Sequence, residues 1–183
     1  MSLLPVSEAL QRLESDGLVE SKPRVGTRVR VLTAQDVREQ YLVREALECQ
    51  SARLFAEKAS PRERRELACM AEHMDVLFNR SAAGDNDHEL LYVANSYHFH
   101  LHLRIAECTG CNALRETIEK NHLLIFNWLL RVGPRSLPPR FHRELIKSIS
   151  GSDTEVAEKA MREHIGYGLE EVLRGIERRV HGE

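Results

Sequence analysis

The chain has 183 residues, 30% of them charged, and a formal net charge of −2. A chain of that length buries a hydrophobic core without disulfides or a structural metal, and its near-neutral balance gives no global pull toward nucleic acid or anionic membranes. No apolar run approaches the roughly 20 residues that span a bilayer, and no signal-peptide pattern opens the chain. Four cysteines (Cys49, Cys69, Cys108 and Cys111) are too few for a disulfide scaffold at this size, so a reducing cytoplasm is the expected location.

In chain order, residues 5–14 predict a short helix with Val6, Ala9, Leu10 and Leu13 as its apolar stripe, closed by Gly17. Residues 18–20 read as a strand and 21–26 as a turn. Residues 27–32 read as a second strand, in which Arg28 and Arg30 alternate with valines. Thr33 to Asp36 can cap a helix running to about Lys58. Ser60, Pro61 and Glu63 then form a stronger start signal for a helix reaching about Asn79. A loop from Ser81 to Asp87 with Gly84, a helix from His88 to Cys108 and a helix from Asn112 to Arg131 follow. After a Gly/Pro-rich break, helices are expected from Arg140 to Ser150 and from Thr154 to about Arg179. The expected fold is mainly α, a six-helix antiparallel bundle preceded by part of a winged helix, namely its recognition helix and a β-hairpin wing. The domain division expected is 1–32 and 33–183.

Four of the nine histidines carry a candidate chemistry. His98 and His102, four residues apart on one helix, present two imidazoles on one face, close enough to share a metal ion. Ala94, Ile105 and Ala106 make that face apolar or small, so it is expected to turn inward. His142 and His164 arrive from other helices. His73, His88, His100, His122 and His181 show no partner pattern. Phe99, where a zinc protease needs glutamate, excludes H-E-x-x-H, and Glu119-x-x-His122 alone is too little for a di-iron bundle. Cys108-Thr-Gly-Cys111 reads as a helix end that carries two thiols, not as a redox pair.

Residues 5–19, PVSEALQRLESDGLV, closely resemble the recognition-helix segment of the GntR family of bacterial transcription regulators, and Lys22-Pro-Arg-Val-Gly26 resembles its wing. Val37 to Glu48, the Leu101-His102-Leu-Arg-Ile105-Ala106 segment, Phe141-His142 and Ala160 to Ile165 are similar to stretches of the family's FadR-like, or FCD, effector domain. The resemblance implies a DNA-binding regulator, not an enzyme, with a divalent metal held by one Asp and three His. Carried over by position, the histidines are His102, His142 and His164, and the carboxylate position is His98. An imidazole there leaves the site softer and one negative charge poorer, which tilts it toward zinc or nickel.

The resemblance further implies that Ser7, Glu8, Gln11 and Arg12 lie in the major groove of operator DNA. Lys22, Arg24, Gly26, Arg28 and Arg30 would form the wing. A homodimer and a small carboxylate effector complete the expectation, with Arg44 as the cationic effector contact. The family's two helices before the recognition helix have no counterpart ahead of Met1, so this chain by itself is expected to bind DNA weakly. A metal-stapled structural bundle and a metal-dependent hydrolase are the competing readings, the latter lacking a placed general base.

Overall fold

Gly17 takes a positive φ of 75° and closes the first helix, α1 (Leu3–Ser15), before a two-stranded antiparallel hairpin, β1 (Val19–Lys22) and β2 (Gly26–Val29). These elements belong to a computed structural model that describes residues 3–83, 87–133, 135 and 137–181. The hairpin is tighter than the sequence suggests: Val19 pairs with Val29 and Lys22 with Gly26. Its turn places Pro23 second and Arg24, at φ 63°, third, the left-handed position that a type II turn needs. The α1 stripe lies open: Val6 is 56% exposed and Leu10 and Leu13 more than a third.

Six helices follow: α2 (Ala34–Lys58), α3 (Pro61–Ala83), α4 (His88–Glu107), α5 (Asn112–Val132), α6 (Phe141–Ile149) and α7 (Thr154–His181). Their starts are local chemistry. Thr33 and Asp36 make a reciprocal capping box on α2, and Ser60 and Glu63 make another on α3. Asp87 accepts from Leu90 N at 3.0 Å, and Asp153 accepts from Glu155 and Val156 N. Gly110 and Gly133, at φ 72° and 86°, end α4 and α5. Helix α3 runs on to Ala83, past the expected end at Asn79, because Ser81 still faces the interior. Gly84, placed in the expected loop, lies outside the described residues.

Helix α2 packs along α7 and also meets α4 and α5, while α3 pairs with α4 and α6. The main core gathers Tyr41, Phe55, Leu67, Met74, Leu101, Ile125, Ile146 and Met161, each nearly inaccessible. Burying such side chains contributes about 1.5–3 kcal/mol apiece, which fixes the helices against one another. Helices α5 and α7 approach so closely that a Cβ at Gly175 would collide with the Val132 side chain. Among the described residues no helix is long and apolar enough to cross a membrane.

Candidate metal centre

Helix α4 turns His98 and His102 inward, α6 brings His142 and α7 brings His164; all four are at most 7% exposed. The Nε2 atoms of His98, His102 and His164 lie 3.1, 3.3 and 3.4 Å apart. Nitrogens bound to one tetrahedral ion at 2.0–2.1 Å stand about 3.3 Å from each other. His142 offers a ligand atom within 4.8 Å of those of His98 and His164. The structure thus brings His98 and His164 beside both His102 and His142, while the ligand atoms of His102 also group with those of Glu48 and His122.

Two buried carboxylates orient the rings. Asp75 Oδ1 sits 2.9 Å from His142 Nδ1, and Glu48 Oε2 abuts His102 Nδ1. An ionised carboxylate only accepts, so His142 Nδ1 carries the proton and its Nε2 presents a lone pair. Among the described residues His142 Nε2 has no hydrogen-bond partner, and neither has His164 Nδ1. Converging lone pairs in a buried space are the arrangement that a cation resolves, and carboxylate–histidine pairs are its usual outer shell. By this test the four imidazoles fit a divalent ion. The cavity bordered by His98, His142 and His164 measures about 10 Å³, room for about one water-sized particle.

Protonation is disfavoured at His98, His142 and His164. Burial, followed by the neighbouring imidazoles, pushes His98 and His164 well below the ordinary histidine value. Burial also lowers His142, against the opposing pull of Asp75. Burial by itself would raise Glu48, yet the charges of Arg44, His102 and His122 hold it well below the usual carboxylate range.

Arg44, expected as an effector contact, is buried on α2 and donates from Nε to Glu48 Oε1 at 2.8 Å, with its guanidinium over the Tyr41 ring. Its charge is therefore already matched. His122, which the sequence left without a partner, reaches Glu48 Oε1 through Nε2 at 2.7 Å. Glu48 Oε1 accepts from Arg44 and His122, and its Oε2 abuts His102, so one carboxylate meets side chains from three helices. Asp75, His122 and the link from Glu48 to the histidines were missed because the partners lie far apart in sequence. One signal was present for Asp75: an acid among Ala71, Met74 and Phe78 on an otherwise apolar face of α3. Arg135, in the connection between α5 and α6, is a further buried cation on the cavity wall. His73 packs edge-on against Tyr97, and His88 and His100 are exposed.

Far from this centre, Ser7, Glu8, Gln11 and Arg12 are exposed on α1, and Lys22, Arg24, Gly26, Arg28 and Arg30 are exposed on the hairpin. Arg28 pairs with Glu20 at 2.5 Å, and Arg30 pairs with Asp36 at the start of α2 at 2.8 Å. Among the described residues Lys22 and Arg24 have no ion pair, unlike Arg28 and Arg30.

The FCD domain family matches residues 39–167. The HTH-type transcriptional repressor RspR of Escherichia coli (strain K12) is 24% identical over 178 residues, which cover 90% of this chain and 71% of the repressor. The probable D-xylose utilization operon transcriptional repressor of Paenarthrobacter nicotinovorans is 27% identical over 168 residues, 92% of this chain and 72% of its own. Among solved structures, E. coli McbR/YncC superposes with a TM-score of 0.78 at 22% identity, over 95% of this chain and 86% of that one. A GntR family member from Pseudomonas syringae pv. tomato str. DC3000 gives a TM-score of 0.67 at 20% identity, over 100% and 74%. With the FCD match spanning most of the bundle and regulators on every side of the comparison, this chain belongs to the FCD-domain branch of the GntR-family transcription regulators.

Proposed function

We propose that the helical bundle of this regulator binds one divalent metal through His98, His102, His142 and His164, and that a small carboxylate reaching that metal alters how the protein engages operator DNA. The observation that carries the reading is the trio of Nε2 atoms 3.1–3.4 Å apart, with the unpaired Nε2 of His142 beside them. An all-imidazole set favours zinc or nickel over manganese or magnesium. When bound, the metal supplies a Lewis-acidic position for a carboxylate oxygen. His98 stands where the family resemblance leads one to expect a carboxylate, so the ligand atoms themselves bring no negative charge.

The chain's own residues do the rest. Glu48 and Asp75 hold the rings of His102 and His142 with Nε2 facing inward. Tyr41, Phe78 and Phe141 wall the cavity and keep bulk water out. The proposal includes a cytoplasmic homodimer, which matches two half-sites on DNA. Leu42, Tyr92 and Leu123, exposed at 70, 54 and 44%, supply apolar surface on α2, α4 and α5 for the partner subunit. Metal analysis of purified protein tests the centre: about one ion per chain is expected, lost when His142→Ala and His164→Ala are combined. Unchanged metal content in that double variant overturns the assignment. Carboxylate sensing is tested by thermal melting, with stabilisation expected before metal removal and absent after it.

A further inference from the structure

The cavity at the histidines is tight, about 10 Å³, so an ion that resides there needs a way in. Two of its walls, Phe141 and His164, are also walls of a second space: an open groove of about 290 Å³ on the outside of the bundle, between α6 and α7. The two rings stack, with 4.5 Å between centres and 24° between planes. This stacked pair therefore stands between the groove and the histidine cluster. His164 is 5% exposed and turns its Nε2 to His98 and His102, while its Nδ1 has no hydrogen-bond partner among the described residues. Phe141 is half-buried and is the first residue of α6, so its ring has no preceding helical turn to lie on.

Charge sets this wall apart from the others. Arg44 of α2 and Arg135 of the α5–α6 connection, both buried, line the same cavity, and a dication passing either guanidinium is repelled. The lining of the α6/α7 groove holds two carboxylates, Glu144 and Glu163, and neither lysine nor arginine. Lys147 meets Glu144 at 3.8 Å and Lys159 meets Glu163 at 3.9 Å, in exposed pairs too loose to hold the acids against a divalent cation.

We propose that the α6/α7 groove is the loading port of the metal centre: Glu144 and Glu163 gather a divalent cation at its mouth, and Phe141 is the shutter that swings off His164 to admit it. This rests on the metal-binding reading given above. Phe141 offers no ligand atom, so as a shutter it sets the rates of uptake and release together and leaves the equilibrium between them nearly unchanged. Carboxylates at the mouth raise the local cation concentration, an effect on entry rate that salt screens away.

The test follows zinc uptake by the chelator-stripped full chain, zinc release to excess competing chelator, and zinc affinity at equilibrium. Phe141→Ala is expected to speed both uptake and release by about 3–10-fold, the rate equivalent of one aromatic stack, with little change in affinity. Phe141→Tyr keeps the ring and is expected to keep the wild-type rates. Glu144→Gln combined with Glu163→Gln is expected to slow uptake by about tenfold at low salt and to match the wild type at high salt. Phe141→Ala with wild-type rates overturns the proposal. So does faster release without faster uptake, which makes Phe141 a packing support for His164. If Phe141→Ala does not fold, wild-type uptake and salt dependence in the double glutamine variant overturn it equally. In each of these cases zinc still binds and the metal centre stands; a wild type that takes up no zinc removes the centre, and the port with it.

Discussion

Asp75 Oδ1 accepts from both the backbone N–H and the imidazole Nδ1 of His142, at 3.0 and 2.9 Å. Its other oxygen takes Arg143 N and Nε at 3.4 and 3.0 Å. Arg140, at the N-cap of α6, makes no side-chain cap, so an acid from α3 satisfies the first donors of α6 across the bundle. One carboxylate therefore caps a helix and sets a ligand's tautomer.

Asp75→Asn replaces one acceptor oxygen by a donor. The expected result is a loss of about 10–100-fold in zinc affinity, measured against a competing chelator, with about 1–3 kcal/mol of stability lost from the orphaned α6 donors. Zinc affinity equal to wild type would show that His142 needs no orienting partner.

Chelator-treated protein should be acid-sensitive well above the carboxylate range. Burial, followed by the charge of Arg44, pushes His122 down to about 4 from 6.5. The unfolded chain then binds a proton below pH 6.5 that the folded chain refuses. Stability from this group is complete above pH 6.5 and is lost as pH falls toward 4, amounting to about 2 kcal/mol by pH 5. His98, His142 and His164 shift the same way and add to the loss. Urea unfolding at pH 7.5 and pH 5 checks this, and a flat profile between them contradicts it.

Gly175→Ala improves helix propensity by about 1 kcal/mol in isolation. Here the new methyl would meet Val132, and the expected net effect is destabilisation by about 1–3 kcal/mol from overpacking. Denaturant unfolding gives the sign directly.

On DNA, Lys22 and Arg24 are free of acids, whereas Arg28 and Arg30 already hold Glu20 and Asp36. On operator DNA, Arg24→Ala is expected to weaken binding evenly across sequences and to reduce the salt slope by about 1, with Arg30→Ala doing less. Equal losses at the two positions would mean that DNA pulls Arg30 off Asp36.

Most of the fold was legible because its signals are local. Ser60 with Glu63, and Gly110 and Gly133 with their positive φ, mark helix ends within a few residues. Half of the site was local too, since His98 and His102 are one helical turn apart. Glu48 meets His122 across 74 residues, and Asp75 meets His142 across 67, so no window of sequence contains either pair. Arg135 was hidden for another reason. In a Gly/Pro-rich connection a lone arginine looks like solvent-facing charge, and only the packing of Phe78 and Asn95 around it reveals its burial. At the hairpin, the left-handed Arg24 tightened the turn because Pro23 before it favours a type II bend.

Helix α2 joins two of these contacts in one rigid rod. Asp36, near its start, holds Arg30 of the wing, and Glu48, twelve residues on, holds the ring of His102. That separation is about 18 Å of uninterrupted helix. A rotation small enough to re-seat one carboxylate beside the histidines becomes, at the far end, a sideways sweep of the hairpin's anchor. The charge network at the centre and the pose of the basic hairpin are in this sense two ends of a single lever.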